Sequence, residues 1–527
     1  MPNRNTENHF GLTPSTSMPR SAFNMAHSLL TTVNTGDIVP IYWKECLPGD
    51  SCKINVSELI RMTTPINPVM DNAYADTYFF KVPRRLVDEH WEEFMGENKD
   101  DAWTQRQEFI VPKTKAPTGG WQKGTIGQYF GMPIGVEGVE IDSAYLRAYA
   151  LICNEWFRNE SITEPIEISK GQETTQGSNG DDYVVDVQKG GKPFKAVKFA
   201  DYFTRALPEP QKGPDVFIPL GNKAPVIFEP NELSPTISGK EAGLQSASQN
   251  IYKIDESTNA FVPNGEYGLL TTDLSTADGA TINQLRQAFA IQRLYELDAN
   301  GTRYVETILN HFKVRVPDSR LQRPEYVGGK RININMTDVI NHTANETAPL
   351  GHEAGESKTI DNSQYIETAF VEHSLLIGVM VIRTDHTYQQ GIERAFSRKT
   401  RLDFYFPELA NLGEQAILNK ELYAQGTAED DEVFGFQEAW AEYRYEQNIV
   451  TGEMNSNYET PLDSWHYADD YESLPTLSDD WIRETRVNVD RTLAIQNQDQ
   501  FKVSMYFDST WFRPLPIYSI PSLTGWH

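Results

Sequence analysis

From Cys52 to Ser57 the chain alternates strictly, with apolar Cys52, Ile54 and Val56 between polar Lys53, Asn55 and Ser57. A period of two predicts a half-buried strand, because successive side chains leave a pleated backbone on opposite faces. The preceding stretch, residues 37–47, is rich in β-branched and aromatic residues and predicts a second strand, with Pro48-Gly49-Asp50 turning the chain between them. Pro40 places that strand at a sheet edge or a bulge, since proline gives no N–H to a ladder. Tyr74 to Val82, closed by Pro83, predicts a third strand, and Ile332, Ile334 and Met336 alternate with Asn333, Asn335 and Thr337 in a fourth. Residues 375–382 are apolar almost throughout and predict a strand buried on both faces. Leu402–Phe406 and Val487–Val489 complete the set.

Two segments switch to helical spacing. Asp142 can cap a helix whose Tyr145, Ala148, Tyr149, Ile152 and Trp156 fall at helical spacing, with Arg147, Asn154 and Arg158 off the apolar stripe. Residues 281–297 predict a second helix, with Ile282, Leu285 and Phe289 on one face, a more deeply buried second half, and Gly301 as a left-handed stop. Strands and helices do not alternate regularly, so an antiparallel sandwich or barrel with large insertions fits better than a parallel α/β sheet. Residues 1–20 are polar and aperiodic and read as a flexible arm. Two stretches rich in Ser, Thr, Asn and Gly, residues 161–192 and about 223–280, read as surface insertions.

Charge sharpens this picture. The chain has 47 basic and 74 acidic residues in 527, a net charge of −27. A protein that coats nucleic acid through its whole surface is basic, so contact with a genome needs a local patch or a basic partner. Arg394, Arg398, Lys399 and Arg401 form such a patch, whereas residues 413–480 hold only Lys420 and Arg444 as cations among many acids. Aromatics at 11% exclude global disorder. Cys46, Cys52 and Cys153 fit neither a disulfide framework nor a zinc pattern and read as free thiols of a reducing compartment. The N-terminal segment lacks the apolar region of a secretion signal, and the longest apolar run is too short to span a membrane.

Catalytic signatures are missing. No phosphate-binding loop, nucleophile elbow or zinc-protease helix is present. Asp298-Ala299-Asn300-Gly301 starts like a calcium loop but has Leu309 at the twelfth position. The acidic run from Glu429 to Glu432 could hold a divalent ion, and Trp465-His466 beside Asp463 and Asp469 is the best glycosidase-like cluster. The ten Trp and 24 Tyr read better as packing and interface residues. No cofactor is expected.

Several long segments, taken together, carry a resemblance. They include Leu47-Pro48-Gly49-Asp50 with Arg61-Met62-Thr63-Thr64-Pro65, Phe79-Phe80-Lys81-Val82-Pro83 with Trp91 and Phe94, and residues 149–158. Residues 201–213, 282–289 with 301–304, and 320–326 with Gly328-Gly329 follow. Residues 388–394, 434–438, Tyr443-Arg444, Thr451-Gly452-Glu453-Met454 and Trp465-His466 complete the series. In these the chain, from about Phe23 onward, resembles the major capsid proteins of microviruses, the small single-stranded DNA bacteriophages, in their gokushovirus branch. It departs at Asn455, where the family often has a basic residue, and the two insertions carry none of the resemblance.

The resemblance implies a mainly β fold, an eight-stranded antiparallel jelly roll with long loop and helical insertions. It implies self-assembly of about sixty copies into a closed T=1 shell around circular single-stranded DNA. On this reading residues 1–20 are the arm and residues 21–222 the first part of the barrel. Residues 223–281 are the insertion that forms a three-fold protrusion, and residues 282–527 the remainder with a C-terminal extension. Expected partners are further copies of the chain, the genome, a small basic DNA-packaging protein, a pilot or minor virion protein and a bacterial surface receptor. Assembly is expected in the host cytoplasm. Arg394, Phe396, Arg398, Lys399 and Arg401 are the DNA-facing candidates, or else pair across subunits with the acidic 413–480 stretch. Tyr202, Phe203, Arg205, Arg320, Arg323 and Tyr326 are candidates for the body or for intersubunit contacts. Lys240, Asn250, Tyr252, Asn259, Asn264 and Tyr267 are candidates for host attachment on the protrusion. The alternative that acidic and aromatic content permits is a carbohydrate-active β-sandwich enzyme or a glycan-binding module.

Overall fold

The computed structural model describes residues 20–97, 109–214, 322–343 and 350–518, with shorter stretches between 226 and 313. Nine strands build two antiparallel sheets. In chain order they are β1 (Ser21–Asn24), β2 (His27–Val33), β3 (Val39–Cys46), β4 (Ser51–Met62), β5 (Ala73–Pro83), β6 (Glu325–Asn333), β7 (Thr359–Ala369), β8 (Ser374–Thr384) and β9 (Phe501–Arg513). The five-stranded sheet sets β9 between β4 and the pair β1 and β2, with β7 beyond β4. The four-stranded sheet runs β6, β5, β8, β3.

The alternation that begins at Cys52 continues through β4, whose Ile54, Val56 and Ile60 are fully buried while Lys53, Asn55 and Arg61 face outward. β9 alternates in step, with Phe501, Val503, Met505 and Phe507 inward and Phe501 opposite Met62. These side chains meet Ile41, Phe79, Leu376 and Met380 of the other sheet in one core. β8 is buried along both faces, as its unbroken apolar run requires. Leu376, Met380 and Ile382 point into the core between the sheets, and Leu375, Ile377, Val379 and Val381 into a second core on the opposite side. Pro40 lies on the edge strand β3, beside the register shift between Gly378 and Val379. Gly378 lets Phe79 and Tyr42 close over β8, for a Cβ there would sit 2.8 Å from the Phe79 ring. Gly378→Ala is expected to cost about 1–3 kcal/mol by overpacking, read by chemical denaturation of the purified subunit.

The second core is roofed by α1 (Ser143–Ile152). Asp142 caps this helix as expected, its carboxylate accepting from the Ala144 N–H at 3.0 Å. Arg147 departs from its expected place off the stripe. It is 1% exposed, because the helix is covered on both sides, and its guanidinium donates to the carbonyls of Val87 and Gly171 at 3.2 and 2.9 Å. Within residues 161–192, Ile166 and Val187 pack into this core.

Three expected strands differ. The alternation through Ile332, Ile334 and Met336 does pack against the core, but the ladder breaks after Asn333. Met336–Ile340 pairs instead with Glu353–Ser357, and the break is held by the Ser357 hydroxyl on the Asn335 carbonyl and by the Asn335 N–H on the Thr359 hydroxyl. Leu402–Phe406 is no strand. Arg401–Asp403 forms a 3₁₀ turn because the Asp403 carboxylate takes the Thr400 and Lys399 N–H groups, at 2.6 and 2.8 Å, away from any ladder. Val487–Val489 lies in a helical turn, Val487–Asp490, where Arg486 grips Asp490 with two hydrogen bonds.

The chain divides into two units, residues 1–210 with 316–527, and residues 211–315. The first holds both sheets. The second holds the pairings of Val226–Phe228 with Leu270–Thr272, Thr236–Ile237 with Lys240–Glu241, and Tyr252–Asp255 with Ala260–Pro263. It also holds α2 (Ile282–Ala299). The deep burial expected of the second half of α2 is not observed, with Leu294 exposed, and Phe289 of the first-half stripe is exposed too. Gly301, its expected stop, lies outside the described residues.

Candidate functional site

A third core gathers Tyr202, Phe203, Ala206, Tyr388, Ile417, Leu422, Phe434 and Trp481. Tyr202 and Phe203 are thus buried in the body. The Tyr202 hydroxyl donates to the buried Glu421 carboxylate at 2.9 Å. Arg205 stands outside this core, over the Tyr445 ring and donating to its hydroxyl at 3.1 Å. Tyr326 on β6 packs against Tyr78, Phe80 and Trp156 and remains 43% exposed, and Arg323 lies over the Trp156 ring. Arg320 lies outside the described residues.

The basic cluster sits on the rim of the third core. Its first member, Arg394, opens a single helical turn, Arg394–Ser397, and donates to the Ala416 carbonyl at 2.9 Å and to Glu421 at 3.1 Å. Burial weighs against the Arg394 charge, but Glu421 and Tyr202 beside it outweigh that and hold its pKa above the ordinary value. Burial likewise pushes the Glu421 carboxyl upward, with Arg394 the chief opposing influence. Arg398 donates to Glu442 at 3.3 Å and lies between the Phe404 and Tyr443 rings. Lys399 lies 3.9 Å from Asp431, which Lys420 also grips at 2.5 Å. Arg401 covers the Phe406 ring. Arg394, Arg398 and Lys399 therefore meet acids of the 413–480 stretch within the same chain, whereas Arg401 meets a ring. Outward it presents Phe396, 81% exposed, and Leu402, 71% exposed, beside half-exposed Phe404 and Tyr405 and the exposed Lys399 and Arg401.

Of the protrusion candidates, Lys240 and Tyr252 lie in the short strands of the second unit, while Asn250, Asn259, Asn264 and Tyr267 fall outside the described residues.

The glycosidase-like cluster is dispersed into structural roles. His466 contacts the Met454 carbonyl at 2.7 Å, and Asp463 accepts from Ser456. Asp469 belongs to a buried network that the sequence does not announce, because its members are scattered from residue 198 to 488. There His386 lies between Asp469 and Glu484, 3.0 Å from each. Lys198, Tyr471 and Asn488 also contact Asp469. In the Glu429 run, Asp430 is turned inward onto the N–H groups of Gln425 and Gly426. Among the described residues no cluster of ligating side chains could hold a metal ion, and no helix is long and apolar enough to cross a membrane. All three cysteines are buried and free.

Two antiparallel sheets around a shared core, with Arg394 and Arg398 paired inside the chain and Phe396 and Leu402 facing out, define a structural β protein suited to packing against other proteins. Residues 12–523 match the family model described as capsid protein (F protein), and the chain belongs to that family. Capsid protein VP1 of Spiroplasma virus 4 is 40% identical to it, with 96% of each chain covered. Capsid protein VP1 of Bdellovibrio phage phiMH2K is 38% identical, with 99% of each covered, and that of Chlamydia phage 1 is 34% identical, with 98% of each covered. The microvirus resemblance holds along the whole chain. The protein is a virion capsid protein of the bacteriophage type and not an enzyme.

Proposed function

We propose that the protein is the major subunit of a T=1 icosahedral shell that encloses circular single-stranded DNA, and that its body is a jelly roll. The strand order carries this reading. From β2 to β9, successive strands alternate between the sheets except at the step from β5 to β6. That gives β2-β9-β4-β7 facing β3-β8-β5-β6, the connectivity of two interlocked Greek keys. The excursion between β5 and β6, residues 84–324, contains the segment proposed as the three-fold protrusion that meets the bacterial receptor.

The outward apolar residues of the basic cluster favour a subunit contact there. Arg394 and Arg398 are already matched by Glu421 and Glu442 of the chain, so Phe396, Leu402 and Phe404 are what a neighbouring copy would cover. A net charge of −27 cannot neutralise a genome, so a small basic packaging protein supplies the balance and a pilot protein accompanies it, with assembly in the host cytoplasm. The carbohydrate-active alternative is not favoured, since His466 and Asp469 are held in structural bonds.

Expression of the chain with a basic partner and single-stranded DNA should yield uniform icosahedral particles by electron microscopy and light scattering. A monomer under every condition would sink the reading.

A further inference from the structure

We propose that the outer face of the five-stranded sheet, where β2, β9 and β4 run side by side, binds the backbone of single-stranded DNA. The proposal rests on the shell reading and deepens it by naming a contact surface for the genome. Its centre is a pair of cations. Arg61 on β4 and Lys502 on β9 are directly opposite each other in the ladder, and both are exposed. Like charges in that position repel and cost stability, and neither has an acidic partner among the described residues. Such a pair is useful where an anion bridges it.

A groove runs over this pair. Leu30, Thr31, Gln128 and Ser504 line it with Arg61 and Lys502. Lys123 stands at its rim, 67% exposed and 3.0 Å from Asp499. None of the side chains that line it is a carboxylate, in a chain whose net charge is −27. A polyanion is therefore drawn to this groove, which ends before the exposed Asp508 farther along β9.

The rest of the face distinguishes a nucleic acid from a lone anion. Lys502, Ser504 and Tyr506 leave β9 on the same outward side, and Tyr506 is 48% exposed. A cation, a hydroxyl and an open aromatic ring thus succeed one another along one strand. Single strands are held by such a row, phosphates on the cations and a base on the ring. Leu30, 79% exposed on β2, adds an apolar surface beside it.

The test uses the purified full chain and a labelled oligothymidylate, with binding read by fluorescence anisotropy across a salt series and inorganic phosphate as competitor. The Arg61→Gln/Lys502→Gln pair is expected to bind about tenfold or more weakly at low salt. Its log–log salt slope should fall by about 1.4, from two lost phosphate contacts at about 0.7 each. The charge-keeping Arg61→Lys/Lys502→Arg pair should bind as the parent does, which separates lost charge from lost fold. Tyr506→Ala should weaken binding by about tenfold with the slope unchanged, because stacking releases no counterions. Unchanged affinity and slope in the glutamine pair would overturn the proposal. So would competition by phosphate with no effect of Tyr506→Ala, which means an anion site only. Electron microscopy of each preparation separates the two levels. Particles with unaltered DNA binding in the glutamine pair reject this site and keep the shell, whereas a parent chain that forms no particles even with a basic partner and single-stranded DNA rejects both.

Discussion

His386→Ala is expected to destabilise the folded subunit by about 3–5 kcal/mol near pH 6, because it leaves two buried carboxylates without their shared cation. Asp469 and Glu484 lie 3.0 Å from the two ring nitrogens, and all three side chains are nearly inaccessible to water. Burial disfavours the charged ring, but Asp469 and then Glu484 overcome it and hold the pKa of His386 up at about 10. Burial would raise the Asp469 carboxyl, and His386 and Lys198 instead hold it far below the usual range. The signs define a window. The histidine's raised pKa stabilises the fold fully below about 6.5 and loses that effect as pH rises through about 10. The aspartate's depressed pKa contributes fully above about 4 and fades as pH falls toward its folded value. The difference between parent and variant, measured by denaturant unfolding, should therefore be greatest between about pH 4 and 6.5, shrink as pH rises from about 6.5, and level off at its smallest above about pH 10. A difference that does not vary with pH would mean that His386 acts by packing alone.

Glu58→Gln should do the opposite and stabilise the protein at pH 8. Glu58 occupies an inward position of β4, 3% exposed, and neither carboxylate oxygen has a hydrogen-bond partner among the described residues. It faces Met505 on one side and Asp361 on the other, where β7 bulges. Burial first, then Asp361, pushes its pKa up to about 7 against the pull of Lys330. An acid with a raised folded pKa costs nothing while protonated in both states. The cost grows as pH rises from about 4.5 to 7 and is then constant, at about 3 kcal/mol for a shift of this size. Glutamine keeps the shape without the charge. The variant should gain about 2–3 kcal/mol at pH 8 and almost nothing at pH 4. Thermal unfolding at the two pH values decides it, and equal effects at both would refute the buried-charge account.

The strands that were legible are those whose environment is set by local pattern. β4 declares itself by alternation and β8 by its unbroken apolar run, and Pro40 marks its own edge. The family segments added identity, which no local pattern supplies. Leu402–Phe406 was misread because its apolar residues are exposed, and a single carboxylate, Asp403, closes a turn there. Arg147 was misread because helical spacing marks one face, whereas α1 is covered on two. The basic cluster was visible as a run of charge, but its pairing with Glu421 and Glu442 depends on tertiary contacts. Arg61 and Lys502 meet only when β9 is laid beside β4, so their juxtaposition leaves no trace in either segment.

The place of β9 in the five-stranded sheet sets a timetable for the newborn chain. It is the strand that joins β2 to β4, yet Thr32 waits for Asp499, its hydrogen-bond partner 467 residues later. At bacterial synthesis rates of about 5–20 residues per second, that wait is roughly half a minute to a minute and a half. Until then β2 and β4 have open edges that invite pairing with other chains. A ribosome that stalls before Phe501 releases a polypeptide that cannot close this sheet. Completion of translation is thereby expected to precede assembly, with truncated chains held back by topology alone.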